Sequence, residues 1–135
     1  MQAKSVLETC LYVDDLEAAE QFYARVLGLH LHAKEVGRHV FFRCGEAMFL
    51  LFDPKTTATF NPKFPKMGPH GAVGSGHAAF RCEEAELEDW RSHLAAHDVA
   101  IESEITWPNG GFSIYFRDPG SNSLELATPA LWGLD

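Results

Sequence analysis

The chain has 135 residues, 46% of them hydrophobic, enough for a single domain with one sizeable core. Its 19 acidic and 11 basic residues give a formal net charge of -8, and with no run of Lys or Arg this excludes a general nucleic-acid binder. The apolar runs are far too short to span a bilayer and MQAKSVLETC lacks a secretion-signal core. Cys10, Cys44 and Cys82 have no zinc-type spacing, so a cytoplasmic protein with reduced thiols, away from membranes, is expected.

Residues 6–13 (VLETCLYV) alternate as a strand, with Leu7, Thr9, Leu11 and Val13 on one face and Glu8, Cys10 and Tyr12 on the other. Asp14 or Asp15 can cap the next segment, LEAAEQFYARVLG. Its Leu16, Ala19, Tyr23, Val26 and Leu27 form a helical stripe that Gly28 ends. Strands are predicted near 29–33, 38–44 and 47–52. The linker at about 53–75 is too rich in Pro and Gly for a regular element. Its Phe60, Phe64 and Met67 call for an ordered excursion: a lid, part of a subunit interface or a surface packing loop.

The same order then repeats. Residues 76–82 (GHAAFRC) read as a strand, and about 84–97 as a helix with Leu87, Trp90 and Leu94 at helical spacing. Strands are predicted at 99–102, 112–117 and 123–127. The chain is therefore an α+β protein of two βαβββ modules, about 4–52 and 76–128. Neither buries much core alone, so they are expected to pack as one domain over 1–135.

Superimposing the modules puts Glu8 and His77 at the same place, each on the face opposite the apolar one. The hairpin SIYFRDPGSNSLELATP adds a third group. A register centred near Gly120 sets Tyr115 opposite Glu125 and Arg117 near Ser123, with Ile114, Phe116, Leu124 and Leu126 facing the core. Glu125 is then expected to face the concave side of the sheet. Two carboxylates and an imidazole converging there would repel without a cation or protons. Glu8, His77 and Glu125 suit one divalent ion, Fe²⁺ or Mn²⁺ before Mg²⁺, Ni²⁺, Co²⁺ or Zn²⁺, with open positions for water and substrate. Each residue also has a plain structural reading: Glu8 in a surface ion pair, His77 bonded to a backbone carbonyl, Glu125 paired with Arg117 or Arg81.

At these residues the sequence resembles the vicinal oxygen chelate superfamily, which includes glyoxalase I, extradiol dioxygenases, fosfomycin-resistance enzymes and bleomycin-binding proteins. The strand followed by DLEAAEQFY and VLGL, then GHAAFRC, then YFRDPGSNSLELATP carry the resemblance over nearly the whole chain. It implies a curved, barrel-like mixed sheet around a metal-centred cavity with helices outside. It also implies a homodimer whose sites often join the first ligand of one subunit to the later ligands of its partner. Glu8, His77 and Glu125 would be the metal ligands. Two departures stand out. Glu8 occupies a position more often His or Gln in the family, which hardens the site and disfavours the two-His-one-carboxylate dioxygenase pattern. Glyoxalase I uses a fourth, acidic ligand near the end of the first module, where this chain has MFLLF; Phe49, Leu50 and Leu51 cannot ligate, so glyoxalase I proper is not expected.

Around those ligands, Tyr115 fits a hydrogen-bond or proton donor, or a ring wedged against the metal shell. Arg117 and Arg81 suit an anionic substrate group or surface acids. Trp107 and Phe112 suit an aromatic substrate wall or a dimer seam. Of the other histidines, His39 and His70 are the ones to consider as bases. Three function classes follow: a metalloenzyme of dioxygenase or lyase/isomerase type acting on a small oxygenated molecule, with Tyr115 and Glu125 catalytic; a metal-free small-molecule binder of the bleomycin-resistance type; and a non-catalytic dimeric module. The converging acids and imidazole favour the first.

Overall fold

Asp15 starts the first helix by accepting a hydrogen bond from the Ala18 amide at 2.9 Å, a side-chain N-cap on one of the helix's unpaired N–H groups. The computed structural model describes residues 1–134. In chain order they form β1 (Glu8–Tyr12), α1 (Leu16–Arg25), β2 (His30–Glu35), β3 (His39–Cys44), β4 (Ala47–Phe52), α2 (Pro54–Thr57), β5 (His77–Arg81), α3 (Leu87–Ala96), β6 (Ser103–Thr106), β7 (Phe112–Arg117) and β8 (Ser123–Ala127). Short 3₁₀ turns at Glu84–Glu86 and Pro129–Trp132 complete the chain.

The chain divides into two units, Met1–Gly74 and Ser75–Asp135. Each holds a four-stranded mixed sheet, ordered β1-β4-β3-β2 in the first and β5-β8-β7-β6 in the second. The first strand of each sheet runs parallel to the last, and the other pairings are antiparallel. The repeat read from the sequence is therefore present in the topology. Two separate sheets, with no closed barrel among the described residues, are what the hydrogen bonding gives.

Each sheet buries one face. In the first unit Ala19, Tyr23 and Val26 of the α1 segment pack with Val40, Phe42, Phe49 and Leu51, all buried. In the second, Leu87 and Leu94 of α3 join Ile114, Phe116, Leu124 and Leu126. The stripe spaced three and four residues apart on each helix is what makes this possible.

Three boundaries differ from the sequence reading. The first strand begins at Glu8, because its partner β4 starts at Ala47 and pairing opens at Glu8↔Met48; Val6 and Leu7 stay exposed. Residues 99–102 are not a strand. Asp98 turns the chain left-handed (φ 56), and the Val99 amide still donates to Leu94 at the end of the helix. Pairing against Tyr115 starts only at the Glu102 amide, so the strand is Ser103–Thr106. The linker contains a regular element after all, α2, where Asp53 caps a turn that begins with proline. Phe60, Phe64 and Met67 remain exposed within the described chain, and the Arg38 guanidinium lies 5.6 Å over the Phe64 ring.

Candidate metal centre

The β7–β8 register pairs Tyr115 with Glu125 and Arg117 with Ser123, as the turn predicted, and β5 adds His77 opposite Ser123. Alternation then puts Ser113, Tyr115, Glu125 and His77 on one face and the core residues on the other. Glu125 is 4% exposed. A buried carboxylate must have partners, and here its two oxygens have different ones. The Ser113 hydroxyl, fully buried, donates to Oε1. Oε2 lies 3.2 Å from His77 Nε2. Behind Ser113, the Trp107 indole N–H donates to its hydroxyl oxygen at 2.8 Å. The chain of donors runs Trp107 to Ser113 to Glu125 and ends on the carboxylate.

The other nitrogen of His77, Nδ1, lies 3.1 Å from the Ser123 carbonyl oxygen. A carbonyl only accepts, so Nδ1 carries a proton, and in neutral imidazole Nε2 presents a lone pair. Two acceptors thus face each other across 3.2 Å, an arrangement that needs a proton or a cation between them. A divalent ion fits the donors: adjacent ligands on an octahedral ion with bonds of about 2.1 Å stand about 3 Å apart. The His77 side chain is 51% exposed, so the pair lies open on one side.

Tyr115 stacks toward His77, with ring centroids 6.3 Å apart at 25°. Burial, then the hydrogen bond and charge of Glu125, push its phenol above the ordinary tyrosine value, so it remains a donor at neutral pH. His77, Glu125, Tyr115 and Trp107 share a pocket of ≈ 480 Å³ with Leu131 and Trp132.

Other sequence-derived candidates lie elsewhere. Arg81 donates to Glu83 at 2.8 Å and Arg117 to Glu102 at 2.9 Å and to Ser75 at 3.0 Å; neither arginine lines the pocket. Phe112 alternates onto the face of Ile114, opposite Ser113 and Tyr115, and does not line it either. Glu8 opens β1 as His77 opens β5, and is exposed. Among the described residues no three or more His, Cys, Asp or Glu side chains gather into a group able to hold a metal ion. What is brought together within the second unit is the His77–Glu125 pair.

The repeat also locates the first unit's counterpart of Glu125. Glu125 pairs with Ala79, two residues beyond His77; Leu50 pairs with Cys10, two residues beyond Glu8. Leu50 therefore occupies the register position of Glu125, and it is buried and apolar. On the same face as Glu8, Tyr12 Oη and His70 Nδ1 are 2.8 Å apart, while His39 stacks on Phe41 at 4.0 Å. Burial and the neighbouring Arg38 charge lower the His39 pKa. The Tyr12 phenol is pushed up to about 12, by burial first and then by Cys10. Since the unfolded chain ionises near 10.0 and the folded one later, Tyr12 contributes stability below pH 10.0 that is lost as pH rises through about 12. Alkaline titration followed by phenolate absorbance should show Tyr12→Phe losing a late-ionising component and becoming less sensitive to unfolding in that window.

Ser113, Leu131 and Trp132 were not read from the sequence as site residues. Ser113 could have been, since it lies two residues before Tyr115 and so on the same face. Trp132 lies beyond the last strand, where no periodicity assigns a direction.

A family model described as the Glyoxalase/Bleomycin resistance protein/Dioxygenase superfamily matches residues 5–126, and the chain belongs to that superfamily. It is similar to a lactoylglutathione lyase from Agrobacterium tumefaciens, with 42% identity, a TM-score of 0.94, and coverage of 99% of this chain and 100% of that one. A glyoxalase/bleomycin resistance protein/dioxygenase from Nocardioides shares the fold at 21% identity and a TM-score of 0.72, over 95% of this chain and 85% of its own. So does FosX, a fosfomycin resistance protein of Listeria monocytogenes crystallised with Mn(II), at 18% identity and a TM-score of 0.68, over 93% of this chain and 90% of its own.

Proposed function

We propose that this protein is a divalent-metal-dependent enzyme of lyase or isomerase type, acting on a small molecule that offers neighbouring oxygens to the metal. The observation that carries the reading is the His77–Glu125 pair: two acceptors 3.2 Å apart, one tautomer fixed from behind and one carboxylate held from behind. Glu8 is proposed as the third protein ligand, supplied by the partner subunit of a homodimer that encloses the site. A bound Mn²⁺ or Fe²⁺ would supply Lewis acidity, stabilising negative charge that develops on a substrate oxygen.

The remaining roles belong to the chain's own groups. Ser123 sets the His77 tautomer, Ser113 occupies one oxygen of Glu125, and Tyr115, held as a neutral phenol, donates a hydrogen bond or a proton to a substrate oxygen. Lyase chemistry is favoured over ring-cleaving dioxygenation by the two carboxylates in the ligand set and by the 42% identical lactoylglutathione lyase. Leu50, buried and apolar at the register position of Glu125, cannot ligate, so the first unit adds no counterpart of that acid to the ligand set. A metal-free binding protein is the second reading, favoured by the tryptophans in the pocket and the formal charge of -8, which suit an aromatic cation.

Metal analysis after anaerobic purification tests the first reading. The wild type should retain stoichiometric Mn or Fe, and Glu125→Ala and His77→Ala should each lose it. Equal metal in the wild type and Glu125→Ala would overturn the reading. Tight capture of an aromatic cation by metal-free wild type would favour the second.

A further inference from the structure

The wall of the pocket beyond His77 and Glu125 carries information about the substrate. Among its lining residues there is no lysine or arginine; beside His77 and Glu125 it presents Trp107, Leu131 and Trp132. Trp132 is 74% exposed, although it sits on a 3₁₀ turn whose backbone is pinned in place.

The pinning is specific. Thr128 exchanges two bonds with Phe112, its amide donating to the Phe112 carbonyl at 3.0 Å and its hydroxyl accepting from the Phe112 amide at 2.9 Å. Asn109 Nδ2 donates to the Leu131 carbonyl at 2.6 Å. Gly111 presses directly on the turn: a Cβ built there would lie 2.5 Å from Leu131 Cα and 2.6 Å from its nitrogen. Only glycine tolerates such an approach of backbone to backbone. The Asn109–Gly111 segment, a plain turn by sequence, therefore also fixes the C-terminal turn that carries Trp132. An aromatic ring held out at the mouth of a pocket, on a backbone anchored through Thr128, Asn109 and Gly111, is suited to meet something flat.

We propose that the substrate carries an aryl group beside its metal-binding oxygens, and that this ring packs against Trp107 and Trp132. The inference deepens the reading above and rests on it. It also separates this chain's preference from that of a site built for a polyanionic group, since neither lysine nor arginine is among the lining residues.

Two hydroxamic acids with the same pair of chelating oxygens test it: benzohydroxamate with a phenyl ring and acetohydroxamate with a methyl group, titrated calorimetrically into the Mn²⁺-loaded protein. Benzohydroxamate should bind about 10- to 100-fold more tightly, the range expected when a ring leaves water against tryptophan. Trp132→Ala should shrink that ratio to about threefold or less. Gly111→Ala, which displaces the turn without altering Trp132, should shrink it too. Neither substitution should change Mn²⁺ affinity measured without hydroxamate. Equal affinities in the wild type, or an unchanged ratio in Trp132→Ala, would overturn the proposal while leaving the metal reading intact. A shift from dimer to monomer in Trp132→Ala with the ratio unchanged would assign that ring to a subunit contact, and would also overturn it. Failure of the wild type to hold Mn²⁺ removes the metal reading and this inference together.

Discussion

Ser113→Ala is expected to weaken Mn²⁺ binding by about 10- to 100-fold, the range found when a hydrogen bond behind a ligating group is removed. The reason is geometric. Ser113 occupies Oε1 of Glu125, which leaves Oε2 as the oxygen directed at His77 Nε2. Without the hydroxyl, the carboxylate can rotate and either oxygen can point inward, so the site loses its pre-set aim. The same substitution strips the part-buried Trp107 indole N–H of its acceptor, costing about 0.5–1.5 kcal/mol of stability. Trp107→Phe helps separate the two effects, because it keeps an aromatic ring and the Ser113 hydroxyl while removing the N–H behind it. It should lower Mn²⁺ affinity by less than Ser113→Ala, and its Co²⁺-substituted visible spectrum should shift in the same direction. Unchanged affinity and spectrum in both variants, with Glu125→Ala still losing metal, would reduce Ser113 to a packing residue.

Asn122→Ala is expected to destabilise the protein by about 2–4 kcal/mol, a fall of about 10 °C in melting temperature for a chain of this size. Asn122 is 1% exposed and clasps the turn of the β7–β8 hairpin to the start of β5. Its Nδ2 donates to Asp118 Oδ2 at 2.9 Å, its backbone amide donates to Asp118 Oδ1 at 2.8 Å, and its Oδ1 accepts from the Gly76 amide at 2.8 Å. Alanine loses both side-chain bonds and keeps those of the backbone. Because Gly76 precedes His77, metal affinity should fall along with stability. Asn122→Asp keeps the acceptor for Gly76 but sets a second carboxylate against Asp118, and should be no more stable than alanine. A melting temperature within a degree or two of the wild type in both variants would show the clasp to be dispensable.

Where a segment obeys one strong local rule, the sequence was a sufficient guide. Tyr115 opposite Glu125 followed from a turn centred near Gly120 and the period of two in strands. The α1 stripe and its Asp15 cap followed from helical spacing and capping chemistry. The strand at Ser103–Thr106 was missed because Val99 to Glu102 is the more apolar stretch, and only the left-handed Asp98 shows that the helix is still unwinding there. Arg81 and Arg117 share the strand face of His77 and Glu125, but long side chains at strand ends reach acids that periodicity does not see. Trp132 owes its place to Gly111, a close backbone approach between segments twenty residues apart. Such contacts leave no mark on any local pattern.

Trp107 belongs to two assemblies at once. One edge of its indole anchors the string of donors behind Glu125, and its ring is part of the pocket surface. If His77 and Glu125 hold a metal as proposed, whatever settles against that ring would bear on the grip of the carboxylate, and by reciprocity a filled metal position would stiffen the surface that greets an incoming molecule. A mismatched guest would then be penalised twice, in its own fit and in the loosened hold on the ion, so discrimination need not rest on contact alone.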